Sequence, residues 1–296
     1  MTPKTFLRNP FLHAAGLSLI TIASSQAAIV TQTISQASGA NYNAVIWGTP
    51  AAAPTSGNDY VSGTGLTASA STGVGTTFTG TVRNINNNTF AGDSLRIVTD
   101  SRFQLSAGTA TVNNLILDGG TIGISASGVV IAGTTTVNSV YLGTGGTQLT
   151  TINSNLLGAG TFFLRATDGT PTLTFGGTGV DFDGTLNIGW DDNEGAVGRL
   201  LVDFNNAYSI AGIVMNPVGS DTLDILNLDA DVTVGSFTFN GSSLAPGTYN
   251  EAQLDAQFLT TDRFTGGFNL IVIPEPSAAL LGALGSLALL RRRRSM

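Results

Sequence analysis

The side chains that could do chemistry gather in two places. Asp181, Asp183, Asp191, Asp192 and Glu194 fall within fourteen residues around Trp190. Carboxylates at that density suit calcium, a hard cation that takes oxygen ligands. An indole beside them would suit stacking on a sugar ring. Counted from Asp181, the fifth and sixth positions hold Thr185 and Leu186, where an EF-hand needs a ligand and a glycine. The loop is therefore no EF-hand, and the competing reading is a solvated turn between strands. Asp224, Asn227, Asp229 and Asp231 form the second group. Polar and apolar residues alternate across Asn227-Leu228-Asp229-Ala230-Asp231-Val232, the pattern of a half-buried strand that turns three polar side chains to one face. Calcium could bridge them, but solvent exposure alone explains the pattern.

The rest of the inventory is restrictive. The 296 residues include no cysteine, one histidine (His13) and one lysine (Lys4). Disulfides, thiolate metal sites and cysteine nucleophiles are excluded. Residues 28–273 hold six arginines against eighteen acidic side chains, a net charge of −12, with no lysine or histidine. A Ser-His-Asp triad, a histidine zinc site and a histidine general base all drop out. What survives is carboxylate-pair chemistry, for which the segment has only Glu194 and Glu251 as glutamates, or a calcium-dependent lyase with an arginine base. Arg96, Arg102, Arg165 and Arg199 are available for that role, and no motif selects one. The expectation is a protein that is not an enzyme and needs no cofactor, calcium being the one ion its carboxylates would suit. A formal charge of −7 and a pI near 4.5 argue against nucleic acid as a partner.

Both ends look like addresses. Lys4 and Arg8 precede an apolar run over residues 11–23, and Ser25-Gln26-Ala27 places small residues where a signal peptidase reads them. Residues 1–27 are thus expected to be a Sec signal peptide cleaved after Ala27, which routes the chain through the Sec translocon. At the other end Pro274-Glu275-Pro276 leads into residues 277–290, which carry no charge, and then into Arg291, Arg292, Arg293 and Arg294. Fourteen apolar residues make about 21 Å of helix. A hydrocarbon core is roughly 30 Å thick, so this is a short transmembrane helix suited to transient anchoring. The arginines would hold their side in the cytoplasm.

This layout resembles the PEP-CTERM sorting signal, whose members are substrates of exosortase, a membrane-embedded protease or transpeptidase. The resemblance implies that Pro274, Glu275 and Pro276 are the recognition motif and that Arg291, Arg292, Arg293 and Arg294 orient the tail. It implies an exported chain, anchored for a time in the inner membrane of a Gram-negative bacterium and then moved to the cell surface or extracellular matrix. Exopolysaccharide would be its surroundings. Its work would be that of a structural or adhesin-type protein. The alternative is a polysaccharide-binding or calcium-dependent lyase domain.

The segment between these ends must position everything else, and it is almost all β. Runs rich in Val, Ile, Thr and Leu, such as residues 110–117, 120–125, 128–132, 134–142 and 173–175, alternate with Gly, Asn and Asp turns. Polar turns feeding apolar strands recur at 20–25 residues, as in Gly92-Asp93-Ser94-Leu95-Arg96-Ile97 against Val112-Asn113-Asn114-Leu115-Ile116-Leu117. The same pattern is set against Val137-Asn138-Ser139-Val140-Tyr141-Leu142. A right-handed parallel β-helix explains this, with about eight coils of ~22 residues over positions 61–234. A β-sandwich or jelly roll is the alternative. Leu157-Gly158-Ala159-Gly160-Thr161-Phe162 and Thr172-Leu173-Thr174-Phe175-Gly176-Gly177 are similar to autotransporter-associated repeats, which implies a β-helical surface protein. The expected division is signal peptide 1–27, N-terminal cap 28–60, β-helical body 61–235, C-terminal cap 236–273 and sorting tail 274–296. In the second cap, Asn250 with Gln253 three residues on predicts a capped helix over 250–259. The Asn84–Asn88 run predicts a turn with left-handed residues.

Overall fold

Short alternating strands leave one face of each to be buried, and this ribbon buries it by winding on itself. The computed structural model describes residues 27–36, 41–63, 66, 78–177, 181–189, 198–215 and 224–273. They form a parallel β-helix of about six regular turns, between residues 94 and 228, with an interrupted turn at each end. The expected eight uniform coils are corrected to that extent. Each turn crosses three parallel sheets, and between residues 94 and 228 each strand pairs with the strand one turn away. A sandwich would instead pair neighbours antiparallel. Among the described residues antiparallel pairing is confined to the two ends.

The register shows how the core is assembled. In the first sheet Tyr60, Leu95, Leu115, Thr135 and Leu156 stand in one row. In the second the row is Val82, Phe103, Ile122, Leu142, Leu164, Ile188, Met215 and Phe239. In the third it is Ala110, Ile131, Ile152, Phe175, Phe204 and Leu228. All are buried. Identical rows meet every 4.7–4.9 Å, so like side chains stack on like. Phe175 and Phe204 stack nearly parallel, with ring centroids 5.1 Å apart. Thr135 is the polar member of its row, and its hydroxyl is satisfied inside by Ser154 Oγ at 2.9 Å.

The corners do not break the ribbon. The separate runs expected at 110–117 and 120–125 are one extended strand, Thr109–Ile124, that bends through all three sheets. Val129–Thr144 does the same one turn later. Turn length drifts along the second sheet, from 19 residues between Phe103 and Ile122 to 27 between Ile188 and Met215. The added residues go into corners and leave the inward rows in register. Close stacking sets the residue type at Gly158. Its φ is +100°, and a Cβ there would lie 2.5 Å from the Val137 carbonyl oxygen of the preceding turn. An L side chain there would be strained by its backbone and would force the Val137 carbonyl to shift.

Both ends are closed by aromatic packing. At the start, Trp47 and Tyr42 lie buried against Tyr60 and Phe90, with Trp47 Nε1 donating to the Tyr42 carbonyl at 2.9 Å. At the far end the chain reverses at Asn240-Gly241, both with positive φ, as a two-residue hairpin demands. Gly247–Tyr249 then pairs antiparallel with the last strand, Leu270–Val272. The chain bends at Pro246, directly before Gly247–Tyr249. Helix α1 (Glu251–Phe258) is capped by Asn250 and Gln253 in a reciprocal box, and Leu259 ends it in the left-handed conformation. Phe258 packs on Phe237, Phe239 and Phe264 and seals the core.

Candidate functional site

The first acidic group is built on the strand Asp181–Ile188, where Phe182, Leu186 and Ile188 point inward and Asp183 is exposed at the corner between the first and second sheets. Asp191, Asp192, Glu194 and Trp190, the other members of the expected calcium or sugar surface, lie outside the described residues. Among the described residues no three His, Asp or Glu side chains come together as metal ligands do.

The second group does not share a face. The strand Ile225–Leu228 stops before the alternation does. Asn227 faces outward and joins a ladder across four turns. Thr174 donates to Asp203 at 3.2 Å, Asn227 Nδ2 donates to Asp203 at 2.8 Å, and Thr265 donates to Asn227 at 2.7 Å. Asp231 sits past the strand and accepts from the Asn269 backbone at 2.9 Å. Asp224 is buried. The expectation of three polar side chains on one face is thus corrected, because the chain turns at Asp229. The Asn84–Asn88 run is also corrected, since none of its residues has positive φ. Its side chains bridge turns instead, with Asn87 Oδ1 accepting from the Thr109 amide at 2.7 Å.

Asp224 marks the one corner of the described residues where buried charges of both signs meet. It stands one residue ahead of its strand in the third sheet. Arg199 stands two residues ahead of Leu201–Phe204, and Arg263 one ahead of Phe264–Thr265. Asp224 is 4% exposed and accepts from the Leu200 amide of the preceding turn at 2.7 Å. Burial pushes its carboxyl up to about 6, despite that hydrogen bond and the nearby charges of Arg263 and Arg199. Burial, and then Arg199, lower Arg263, while Asp224 and Asp255 work the other way. Arg263 Nη1 and Arg199 Nε are buried without a hydrogen-bond partner. Asp224 ties its turn to the preceding one through the hydrogen bond from Leu200.

The other arginines singled out as bases are placed structurally. Arg96 is exposed and pairs with Asp118 at 3.6 Å. Arg102 is buried with its guanidinium 5.0 Å from the centre of the Phe78 ring. Burial and Arg83 lower it to about 10, so it stays charged at neutral pH. Arg165 is buried in the second sheet. The outward Tyr141 and Phe163 stack on each other with ring centroids 4.7 Å apart.

The address residues bracket the coil. Ala27 directly precedes the first strand, Ala28–Thr31. Ile273 follows the last strand and donates its amide to Val234 at 2.9 Å. Pro274, Glu275, Pro276 and Arg291, Arg292, Arg293 and Arg294 lie outside the described residues. No helix among the described residues is long and apolar enough to cross a membrane. The ladder through Asp203 and the Asp224 latch were missed by sequence reasoning. Their members are 24 to 38 residues apart at unequal steps, and only the register aligns them. Their class is that of parallel β-helix proteins. No family model, curated protein or solved structure matches this chain.

Proposed function

We propose that this is an exported structural protein of the cell surface or extracellular matrix. It leaves through the Sec translocon and is sorted by an exosortase-like membrane enzyme that reads Pro274, Glu275 and Pro276. The observation that carries this reading is the sequence of motif, apolar run and four arginines in that order, which begins two residues after Val272 ends the coil. A stack tied by core rows and outward ladders is a stiff spacer. Its −12 charge favours a hydrated position among polymers over binding to anionic surfaces. The prolines keep the segment beside the membrane extended, which is the form a protease binds. Glu275→Ala tests the reading. The variant should accumulate in the membrane fraction as a full-length precursor, while the parent chain leaves it. Equal release of both chains contradicts the proposal.

A further inference from the structure

We infer that the closed C-terminal end of the coil rests on the lipid surface while the tail is inserted, with Leu259, Phe268 and Ile273 as its contact. This rests on the tail reading above. Only Pro274, Glu275 and Pro276 separate Ile273 from the apolar run beginning at Ser277. A trans chain spans at most about 3.6 Å per residue, so the four steps from Ile273 to Ser277 reach about 14 Å. The headgroup layer takes up about 6 Å of that. The end of Leu270–Val272 is then held within about 8 Å of the membrane surface, whatever the tilt of the coil.

The segment that closes this end of the coil carries three exposed apolar side chains. Leu259 is 94% exposed at the left-handed end of α1, Phe268 is 48% exposed at the last corner, and Ile273 is 44% exposed. Glu251, Asp255 and Asp262 belong to the same closing segment, so the lipid that fits is zwitterionic rather than anionic. Three side chains bind a membrane weakly by themselves. The tail makes the contact intramolecular and keeps the local concentration high. The opposite end carries a comparable set, Ile29, Ile34 and Val45. It lies nine strand spacings away along the first sheet, roughly 43 Å, and is out of reach.

The absence of cysteine permits a clean test. Full-length chains carrying Leu259→Cys, Phe268→Cys, Leu149→Cys or Val45→Cys are labelled with a fluorophore and reconstituted into phosphatidylcholine vesicles containing nitroxide lipids. Leu259 is 94% exposed, so its replacement should spare the fold. Labels at 259 and 268 should lose emission to the nitroxides, whereas labels at 149 and 45 should not. Chains that float with the vesicles but show no quenching at 259 and 268 would overturn the inference and leave the tail reading intact. Quenching equal at all four positions, or shielding at 259 that requires a membrane protein in addition to lipid, would overturn it too. Chains that fail to float would remove the tail reading itself.

Discussion

Replacing Gly128, Gly160 and Gly158 by alanine, one at a time, separates backbone strain from the close stacking of turns. Gly128 has φ +75° and open space where a Cβ would go. Gly160 has ordinary backbone, but its Cβ would collide with the Asn138 carbonyl of the turn below. Gly158 combines φ +100° with the Val137 oxygen 2.5 Å from the Cβ position. Strain at Gly128 costs about 1–2 kcal/mol, offset by about 0.4–1 kcal/mol from a less free unfolded chain. Gly128→Ala should therefore lie within about 1 kcal/mol of the parent. At Gly160 the unfolded-state effect by itself would stabilise, so any loss reports the stack, and overpacking costs about 1–3 kcal/mol. Gly158→Ala adds both penalties and should lose about 3–5 kcal/mol. A chain of this size loses about 2–4 °C per kcal/mol, so its melting temperature should fall by about 10 °C. Thermal unfolding followed by far-ultraviolet circular dichroism ranks the three. A Gly160→Ala variant as stable as the parent would refute the stacking that separates it from Gly128.

Three further outcomes follow from particular residues. Asp224 titrates near 6 in the folded chain against 3.8 when free, so folding takes up a proton between those values and stability falls as pH rises through them. The cost above pH 6 is about 3 kcal/mol. Asp224→Asn keeps the acceptor for Leu200 and should be more stable than the parent at pH 7.5 but not at pH 4; a difference unchanged with pH contradicts this. Phe204→Ala removes a buried ring stacked between turns and should lose about 3–5 kcal/mol in urea unfolding. A loss below 1 kcal/mol would mean that the third-sheet row is not packed as described. Glu275→Ala, described above, should leave stability untouched while blocking release, since Glu275 stands beyond the last strand.

Some of this was legible and some was not, for physical reasons. The alignment of Leu95 on Leu115 and of Ile97 on Leu117 is the true register, because inward rows repeat like on like. Matching Val137 to Val112 was five residues out, since Val137 pairs with Leu117. Apolar residues alternate in every sheet, so the pattern alone does not say which sheet a strand belongs to. The capped helix at Asn250 was readable because a capping box is local. The Asp224 latch was not, because Leu200 meets it only once the turns between are laid down. The acidic run after Asn227 read as one strand because alternation continues past the point where the chain turns.

The central claim is that the coil is delivered outside and parted from its tail. Intact-mass measurement of the protein recovered from the cell surface and medium tests it most directly. The account predicts a chain that begins at Ala28 and lacks Arg291, Arg292, Arg293 and Arg294. An exported chain that still carries the four arginines would contradict it.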